Sequence, residues 1–358
     1  MKLLLVLSIS TIVFIGISGM RCQKQDSSTD ESQLISELAQ FANSVAFPSD
    51  IMLQHINTIA SSPHPMGSPR QREVFLYLKA EAEALGFRTA TDSFTASVPN
   101  PDAMGDDAGP ANLVLEKPGR NLFASTGQNK DCVILFASHY DSKFFSSFVY
   151  RGANDSASSS AALLWLLTAV KEYAKQELLR CDFAAIWFDG EESYLENWND
   201  GVLRHPAKIQ DNTYGSRHVA ANMVACEGAP ADQRHCLPEN LGGQKLEALI
   251  LLDMIGSPNV SLSRDSNSDP SLRETAKNMA HALDMKNIYS RSFPRAIVDD
   301  HIPFKDIGIA VINFIDFENL SVWHQPGDDP ELVNIRSVEL VSRLALGVAL
   351  KTNIATAK

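Results

Sequence analysis

The sequence predicts a single α/β domain with a central mixed, mostly parallel sheet that is covered by helices on both faces. Four short runs are almost entirely apolar, and each is followed by a helical pattern: 133–137, 183–188, 248–252 and 309–314. Such runs are typical of strands that are buried on both faces, and their alternation with helices indicates parallel pairing. No internal repeat is visible, so we expect one domain from residue 34 to residue 358.

The remaining elements follow from hydrophobic periodicity and from stop signals. Apolar residues at helical spacing predict N-terminal helices that precede the sheet, and the third of these ends before Gly86. Two shorter patterns, at 87–94 and 111–115, predict less buried edge strands, with a polar loop at 100–109 between them. The predicted helices cover 34–45, 51–59, 71–85, 157–173, 216–221, 271–283 and 338–350.

The first 21 residues have the features of a secretory signal peptide. A basic start at Lys2 is followed by an apolar run that is short for a membrane span, and then by small residues. Cys22 comes next, and residues 22–33 form a polar tether. A Cys in this place suggests a lipid anchor, although Arg21 stands where that signal expects a small residue. Ordinary cleavage nearby is the alternative, and both predict an exported protein, either secreted or periplasmic.

The charge of the chain limits its partners. A formal net charge of −12 and a pI near 5.2 argue against a nucleic-acid-binding surface. The same charge argues against an anionic-membrane surface, and we expect a monomer.

Four cysteines lie beyond the tether, and none belongs to a CxxC pair, which argues against a zinc knuckle. Cys226 and Cys236 bracket a loop with Gly and Pro and can close it as a disulfide in an oxidising compartment. Cys132 and Cys181 each begin an apolar run and can be neighbours on adjacent strands. For this second pair, buried free thiols are the favoured interpretation.

Ligand-type side chains follow the predicted strands. In sheets of this kind, the site lies beyond the carboxyl ends of the strands. Taken singly, each has a simpler explanation: Asp155 as a helix N-cap, the histidines as satisfied polar residues, the Glu pair as solvated. Together they would form a costly cluster of negative charge unless a cation binds, and the mixture of nitrogen and carboxylate ligands fits Zn²⁺. The residues are His139, Asp155, Glu191, Glu192, Asp253 and His324.

Seven segments around these residues resemble animal-type glutaminyl-peptide cyclotransferases (glutaminyl cyclases), which belong to the zinc aminopeptidase-like clan. The similarity covers roughly residues 45–350, and the segments occur in that family's order. They are His139-Tyr140-Asp141-Ser142-Lys143, Gly152-Ala153-Asn154-Asp155-Ser156, Phe188-Asp189-Gly190-Glu191-Glu192, Tyr214-Gly215-Ser216-Arg217-His218, Leu251-Leu252-Asp253-Met254-Ile255-Gly256, Asp299-Asp300-His301-Ile302-Pro303-Phe304 and Trp323-His324.

The resemblance implies a role for each matched position. Asp155, Glu192 and His324 would hold one zinc ion per chain, and Glu191 would be the general acid and base. Two carboxylates would share a hydrogen-bond network with Glu191, and three further residues would contact the substrate. The network residues are Asp253 and Asp299, and the substrate-binding residues are Trp198, Trp323 and Ser156.

The chain also departs from the cyclase pattern. Ser138 and Ser160 stand where the animal enzymes have paired cysteines, Asn313 replaces a histidine, and Val298 replaces a glutamine. The loop 199–213 is longer. These differences bear on substrate contacts and redox stability more than on the reaction.

The activity implied by the resemblance is conversion of an N-terminal glutamine to pyroglutamate with release of ammonia. The rival interpretation is a two-zinc aminopeptidase of the same clan, in which His139 and Asp253 would bind the second ion. A binding domain that has lost its activity is a third alternative, and the complete ligand set argues against it.

Overall fold

A six-stranded mixed sheet organises the chain, in the order β1-β2-β4-β3-β5-β6. The computed structural model describes residues 27–100, 114–127, 130–194, 212–230, 232–289, 295–319 and 321–354. Strands β3 to β6 pair in parallel, whereas β1 and β2 join antiparallel at one edge. This confirms the predicted mixed, mostly parallel sheet. The strands are β1 (Arg88–Pro99), β2 (Val114–Ser125), β3 (Cys132–His139), β4 (Asp182–Phe188), β5 (Lys245–Asp253) and β6 (Val311–Ile315).

Helices cover both faces of the sheet, as the apolar strands require. Successive side chains of a strand point to opposite faces, so Ile134 and Phe136 of β3 join one apolar cluster while Val133 and Leu135 join another. Among the described residues the helices are α1 (Ser27–Ser44), α2 (Ser49–Ile59), α3 (Pro69–Ala84), α4 (Ser159–Tyr173), α5 (Tyr214–Asn222), α6 (Pro270–Ala282), α7 (Lys286–Tyr289), α8 (Ile302–Asp306) and α9 (Ile335–Ile354).

The edge of the sheet differs from the sequence prediction. β2 continues to Ser125, and it pairs with β1 along its whole length, from Arg88 opposite Ser125 to Pro99 opposite Val114. β2 contains a Pro-Gly pair at 118–119, a local turn signal, but the Phe94 ring lies over Gly119, where a Cβ would come within 2.2 Å of it. Cross-strand packing therefore overrides the local turn signal.

The first helix also begins earlier than the sequence predicted. α1 begins at Ser27, so residues 27–33 of the predicted tether are helical. Residues 1–21, predicted to form a signal peptide, and Cys22 lie outside the described residues. Within the described ranges, no helix combines the length and the apolar character that crossing a bilayer requires.

The described residues form two disulfides. Cys226–Cys236 forms as expected, whereas the expectation of free thiols at Cys132 and Cys181 is wrong, because these residues are bonded. The parallel pairing of β3 with β4 brings the two strand starts together, with Cα atoms 4.7 Å apart. Disulfides persist mainly in oxidising compartments, as expected for an extracellular or secreted protein.

Candidate metal centre and cavity

The ligand-type side chains meet beyond the carboxyl ends of the parallel strands. β3 lies between β4 and β5. The connection after β3 leads to β4 on one side of β3, and the connection after β4 leads to β5 on the other side. Such a reversal of strand order opens a crevice in which open α/β sheets bind ligands. His139 at the end of β3 and Asp253 at the end of β5 face each other there, with Nε2 3.4 Å from Oδ1.

Asp155, Glu192 and His324 form the first group that can hold a metal ion. One ligand atom from each lies within 4.8 Å of the others, and all three residues are buried. His324 Nε2 is 3.2 Å from Glu192 Oε2 and 3.7 Å from Asp155 Oδ2. No described residue donates a hydrogen bond to either buried oxygen of Glu192. A buried carboxylate without a donor is costly, a bound cation would remove that cost, and the N/O donor set fits zinc.

Asp155 is presented by an irregular helical turn, Ala153–Ser158, that precedes α4. Its φ of −113° and ψ of 84° are not helical, and Ser158, not Asp155, is the N-cap of α4. The alternative of a capping aspartate is therefore excluded. The turn begins at Gly152 with φ +61°, where a Cβ would come within 2.2 Å of the Asp155 carbonyl oxygen. Only glycine fits that position without strain.

The Glu191-Glu192 pair is fixed through its own backbone. Gly190, with φ +72°, turns the chain at the end of β4. The carboxylate of Asp141 then accepts hydrogen bonds from the N–H groups of Glu191 at 3.1 Å and Glu192 at 3.4 Å. Asp141 also lies 3.5 Å from His139 Nδ1. It is a positioning residue for both sides of the site, and the sequence analysis assigned it no role.

His324 is held in the left-handed region, with φ 54°. Such a conformation is costly for a non-glycine residue, and it persists only where the surroundings determine it. Here the imidazole stacks on Trp323, with ring centroids 4.2 Å apart, and the edges of Phe145 and Tyr150 face it at 5.9 Å. The aromatic rings therefore orient the histidine toward the two carboxylates.

A second group, His139, Asp155 and Asp253, shares Asp155 with the first. Burial acts to lower the pKa of His139, but its hydrogen bonds to the three surrounding aspartates outweigh burial and raise the pKa well above its usual value. Burial, together with the charge of Asp155, raises the pKa of Asp253 to about 8. The chemistry of this group also suits a cation, so the centre offers two overlapping sites.

A cavity of about 190 Å³ opens beside the centre. Burial raises the pKa of Glu191 well above its ordinary value; His139 opposes this shift, whereas Asp299, Glu192 and Asp300 add to it. The lining combines four carboxylates and one arginine with apolar and aromatic side chains. The cavity is lined by Asp155, Glu191, Asp253, Met254, Arg295, Ala296, Ile297, Val298, Asp299, Ile315, Phe317 and Trp323.

The other predicted site residues are placed as follows. Asp299 lies in the cavity wall and accepts a 2.8 Å hydrogen bond from Nδ2 of Asn313, the residue that stands where the cyclases have a histidine. Trp323 lines the cavity and packs edge-on against Phe317. Ser156 is buried, and its hydroxyl donates to the carbonyl oxygen of His139, not into the cavity. Trp198 lies outside the described residues.

The fold and the centre define a class: α/β proteins with a carboxylate–histidine metal centre at the ends of parallel strands. Within that class, the profile of Peptidase family M28 matches residues 121–349. The chain belongs to this family.

Individual relatives agree with the resemblance that the motifs predicted. The Bos taurus glutaminyl-peptide cyclotransferase-like protein is 29% identical over 299 residues, which is 78% of this chain and 69% of the relative. The glutaminyl-peptide cyclotransferase of Dictyostelium discoideum is 28% identical over 223 residues, covering 59% of this chain and 58% of the relative. The chain thus spans between about three fifths and two thirds of the length of these relatives.

Solved structures agree on the fold. A glutaminyl cyclase from an Acidobacteriales bacterium has a TM-score of 0.67 and 24% sequence identity, over 86% of this chain and 96% of that structure. This confirms the predicted zinc aminopeptidase-like fold.

Proposed function

We propose that this protein is a zinc-dependent glutaminyl-peptide cyclotransferase, which converts the N-terminal glutamine of peptides or proteins to pyroglutamate and ammonia. One observation carries the proposal: a single small cavity is lined by Asp155 of the buried metal-ligand triad, by Glu191, whose pKa is raised, and by Trp323. At about 190 Å³ the cavity is smaller than the 300–1,000 Å³ of clefts that bury drug-sized ligands, and it suits a single terminal residue.

Asp155, Glu192 and His324 would hold one zinc ion per chain. When bound, zinc supplies a Lewis acid that polarises the side-chain carbonyl of the substrate glutamine. The nucleophile is the α-amine of the same residue, so the substrate supplies its own attacking group. The protein must fold that residue back on itself and exclude water.

Glu191 would move the proton that the reaction transfers. As the α-amine forms a bond to the side-chain amide carbon, its nitrogen loses a proton, and the departing amide nitrogen needs one to leave as ammonia. A carboxyl whose pKa is raised can accept the first proton and deliver it to the leaving group near neutral pH. Burial of Glu191 supplies that raised pKa, and the negative charge of Asp299 adds to it. Asp253 and Asp299 would hold this network in place.

Trp323, together with Trp198, would form the apolar wall against which the glutamine side chain packs. Phe317 and Ile315 extend that wall in the structure. An apolar wall excludes the water that hydrolysis would need. Ser156, which lies next to Asp155, is the third proposed contact with the substrate, and to make that contact its hydroxyl would have to leave the carbonyl oxygen of His139.

A two-zinc aminopeptidase is the second candidate, and the group His139, Asp155 and Asp253 favours it. In that case Glu191 would activate water against the first peptide bond of a peptide with any N-terminal residue. The two candidates therefore differ in metal content and in product.

One experiment separates them. Ammonia release from a Gln-initiated dipeptide is measured beside release of the N-terminal residue from an aminopeptidase substrate, on protein whose zinc is counted by elemental analysis. We expect ammonia release, no free amino acid and close to one zinc per chain. Two tightly bound zinc ions with aminopeptidase turnover would establish the second candidate instead.

We further propose that residues 1–21 are removed on export, that the catalytic domain 34–358 acts as a monomer, and that Cys22 carries a lipid anchor. The polar residues after Cys22 support a tethered domain. Cys22→Ser should shift the protein from the membrane fraction to the soluble fraction. Unchanged fractionation would contradict the anchor and favour simple cleavage.

A further inference from the structure

Asp328 connects two parts of the metal centre that are far apart in the sequence. It follows β6, four residues after His324, and only 2% of its surface is exposed. Its Oδ1 accepts a 2.7 Å hydrogen bond from the N–H of Asn154, and its Oδ2 accepts one of 3.1 Å from the N–H of Asp155. The carbonyl oxygen of Asp328 accepts a third, at 3.2 Å, from Ala153. Asp328 thus accepts hydrogen bonds from three successive N–H groups of the turn.

The irregular backbone of this turn explains why it needs such a partner. The first N–H groups of any helical segment lack acceptors within the helix. Buried N–H groups must find an acceptor elsewhere, and a carboxylate offers two oxygens to two of them at once. Asp328 therefore determines where the backbone of Asp155 lies.

Tyr150 extends this connection to the side chains. Its hydroxyl is 3.1 Å from Asp155 Oδ2 and 3.2 Å from Asp328 Oδ2. The same ring meets the His324 imidazole edge-on, with centroids 5.9 Å apart. Tyr150 thus contacts both Asp155 and His324, while Asp328 contacts Asp155 and Tyr150.

We propose that Asp328 is a positioning residue that sets the distance between the metal ligands Asp155 and His324, with Tyr150 as its auxiliary. Neither residue lines the cavity, so their contribution is to metal affinity and ligand geometry. The inference rests on the metal site proposed above but not on the reaction that this site performs. Residues that orient metal ligands typically contribute about 10–100-fold to metal affinity.

Asp328→Asn tests the proposal, because the amide keeps the size of the side chain but leaves one of the two N–H groups without an acceptor. The matched control is Asp329→Asn, which removes the ion pair of the adjacent aspartate with Arg151, where both side chains are more than a third exposed. Zinc affinity is measured by competition with a chelator at one fixed pH. The visible absorption spectrum of the Co²⁺-loaded protein reports the ligand geometry.

We expect Asp328→Asn to weaken zinc binding about 10–100-fold and to change the Co²⁺ spectrum, whereas Asp329→Asn leaves both unchanged. A role in folding alone would lower the melting temperature of the metal-free protein without changing zinc affinity, and that result would overturn the proposal. Tyr150→Phe should weaken binding by up to about 10-fold. Parental zinc affinity in Tyr150→Phe would overturn the proposal even if Asp328→Asn did not fold. A parent protein that binds no zinc would instead contradict the metal site itself.

Discussion

At the scale of single residues, two adjacent glutamates occupy different environments. Glu192 faces His324 and belongs to the group that can hold a metal ion, whereas Glu191 lines the cavity. Both depend on the same carboxylate, that of Asp141, for their backbone position. The difference between them therefore lies in the side chains, and amide substitutions should separate their roles.

We expect Glu191→Gln to keep zinc but to lose at least about 100-fold in kcat, because general acid–base catalysis typically contributes about 10²–10⁴-fold. Glu192→Gln should weaken zinc binding itself, since an amide is a poorer ligand than a carboxylate. Zinc content and kcat are measured on both variants. Equal metal loss in the two would show that the roles within the pair are assigned wrongly.

Much of the centre could be predicted from the sequence, because the ligand-type residues directly follow a recognisable strand or precede a helix, except His324, which lies in the loop after β6. Asp141, Tyr150 and Asp328 could not be assigned in this way. Asp141 stands two residues after His139, a spacing that is a weak signal alone. The partners of Asp328 lie about 173 residues away, and no local pattern reports such a contact.

Ser138 and Ser160 show how a departure from the cyclase pattern is accommodated. Their hydroxyls donate to the carbonyl oxygen of His139 at 2.9 and 2.7 Å. At the two positions where the resemblance implies paired cysteines, this chain thus forms two hydrogen bonds at the end of β3. The chain carries its disulfides elsewhere, at the start of the strands and in the 226–236 loop.

At the scale of elements, the buried strands β3 to β6 were predictable because each is apolar on both faces. The antiparallel edge strands β1 and β2 were less predictable. β2 contains Lys117, Pro118, Gly119 and Arg120, which carry no strand signal, and only its pairing with β1 makes this stretch a strand. Likewise, the Cys132–Cys181 bond depends on which strands become neighbours, which strand propensity does not determine.

The two disulfides should differ in their contribution to stability, since they close loops of different length. Their sequence separations are 49 and 10 residues. Loop-closure entropy then predicts a loss of about 4 kcal/mol for Cys132→Ala/Cys181→Ala and about 3 kcal/mol for Cys226→Ala/Cys236→Ala. The free energy of unfolding of each double variant is measured in denaturant. A larger loss for the 226–236 pair would mean that the entropic explanation does not apply here.

At the scale of the whole molecule, the centre draws residues from the ends of β3, β4 and β5 and from the loops before α4 and after β6. Its carboxylates repel one another in the folded protein but are separated and solvated in the unfolded chain. A bound cation should therefore stabilise the folded protein as a whole.

We expect zinc, at a free concentration about 100-fold above its dissociation constant, to add about 2.7 kcal/mol to the free energy of unfolding. Thermal unfolding is followed with zinc, after chelation and after zinc is returned, with magnesium as the control cation. Identical melting temperatures in all four conditions would contradict a native-state zinc site.

The order of the ligands along the chain has a consequence for biosynthesis. Asp155 and Glu192 lie 37 residues apart in the sequence, but His324 follows Glu192 by 132 residues. A nascent or truncated chain that lacks β6 and the loop after it cannot complete the ligand triad. If the triad holds zinc, loading would require this loop to have folded against the other two ligands, and the zinc-to-protein ratio of a preparation would report the fraction of chains in which it has done so.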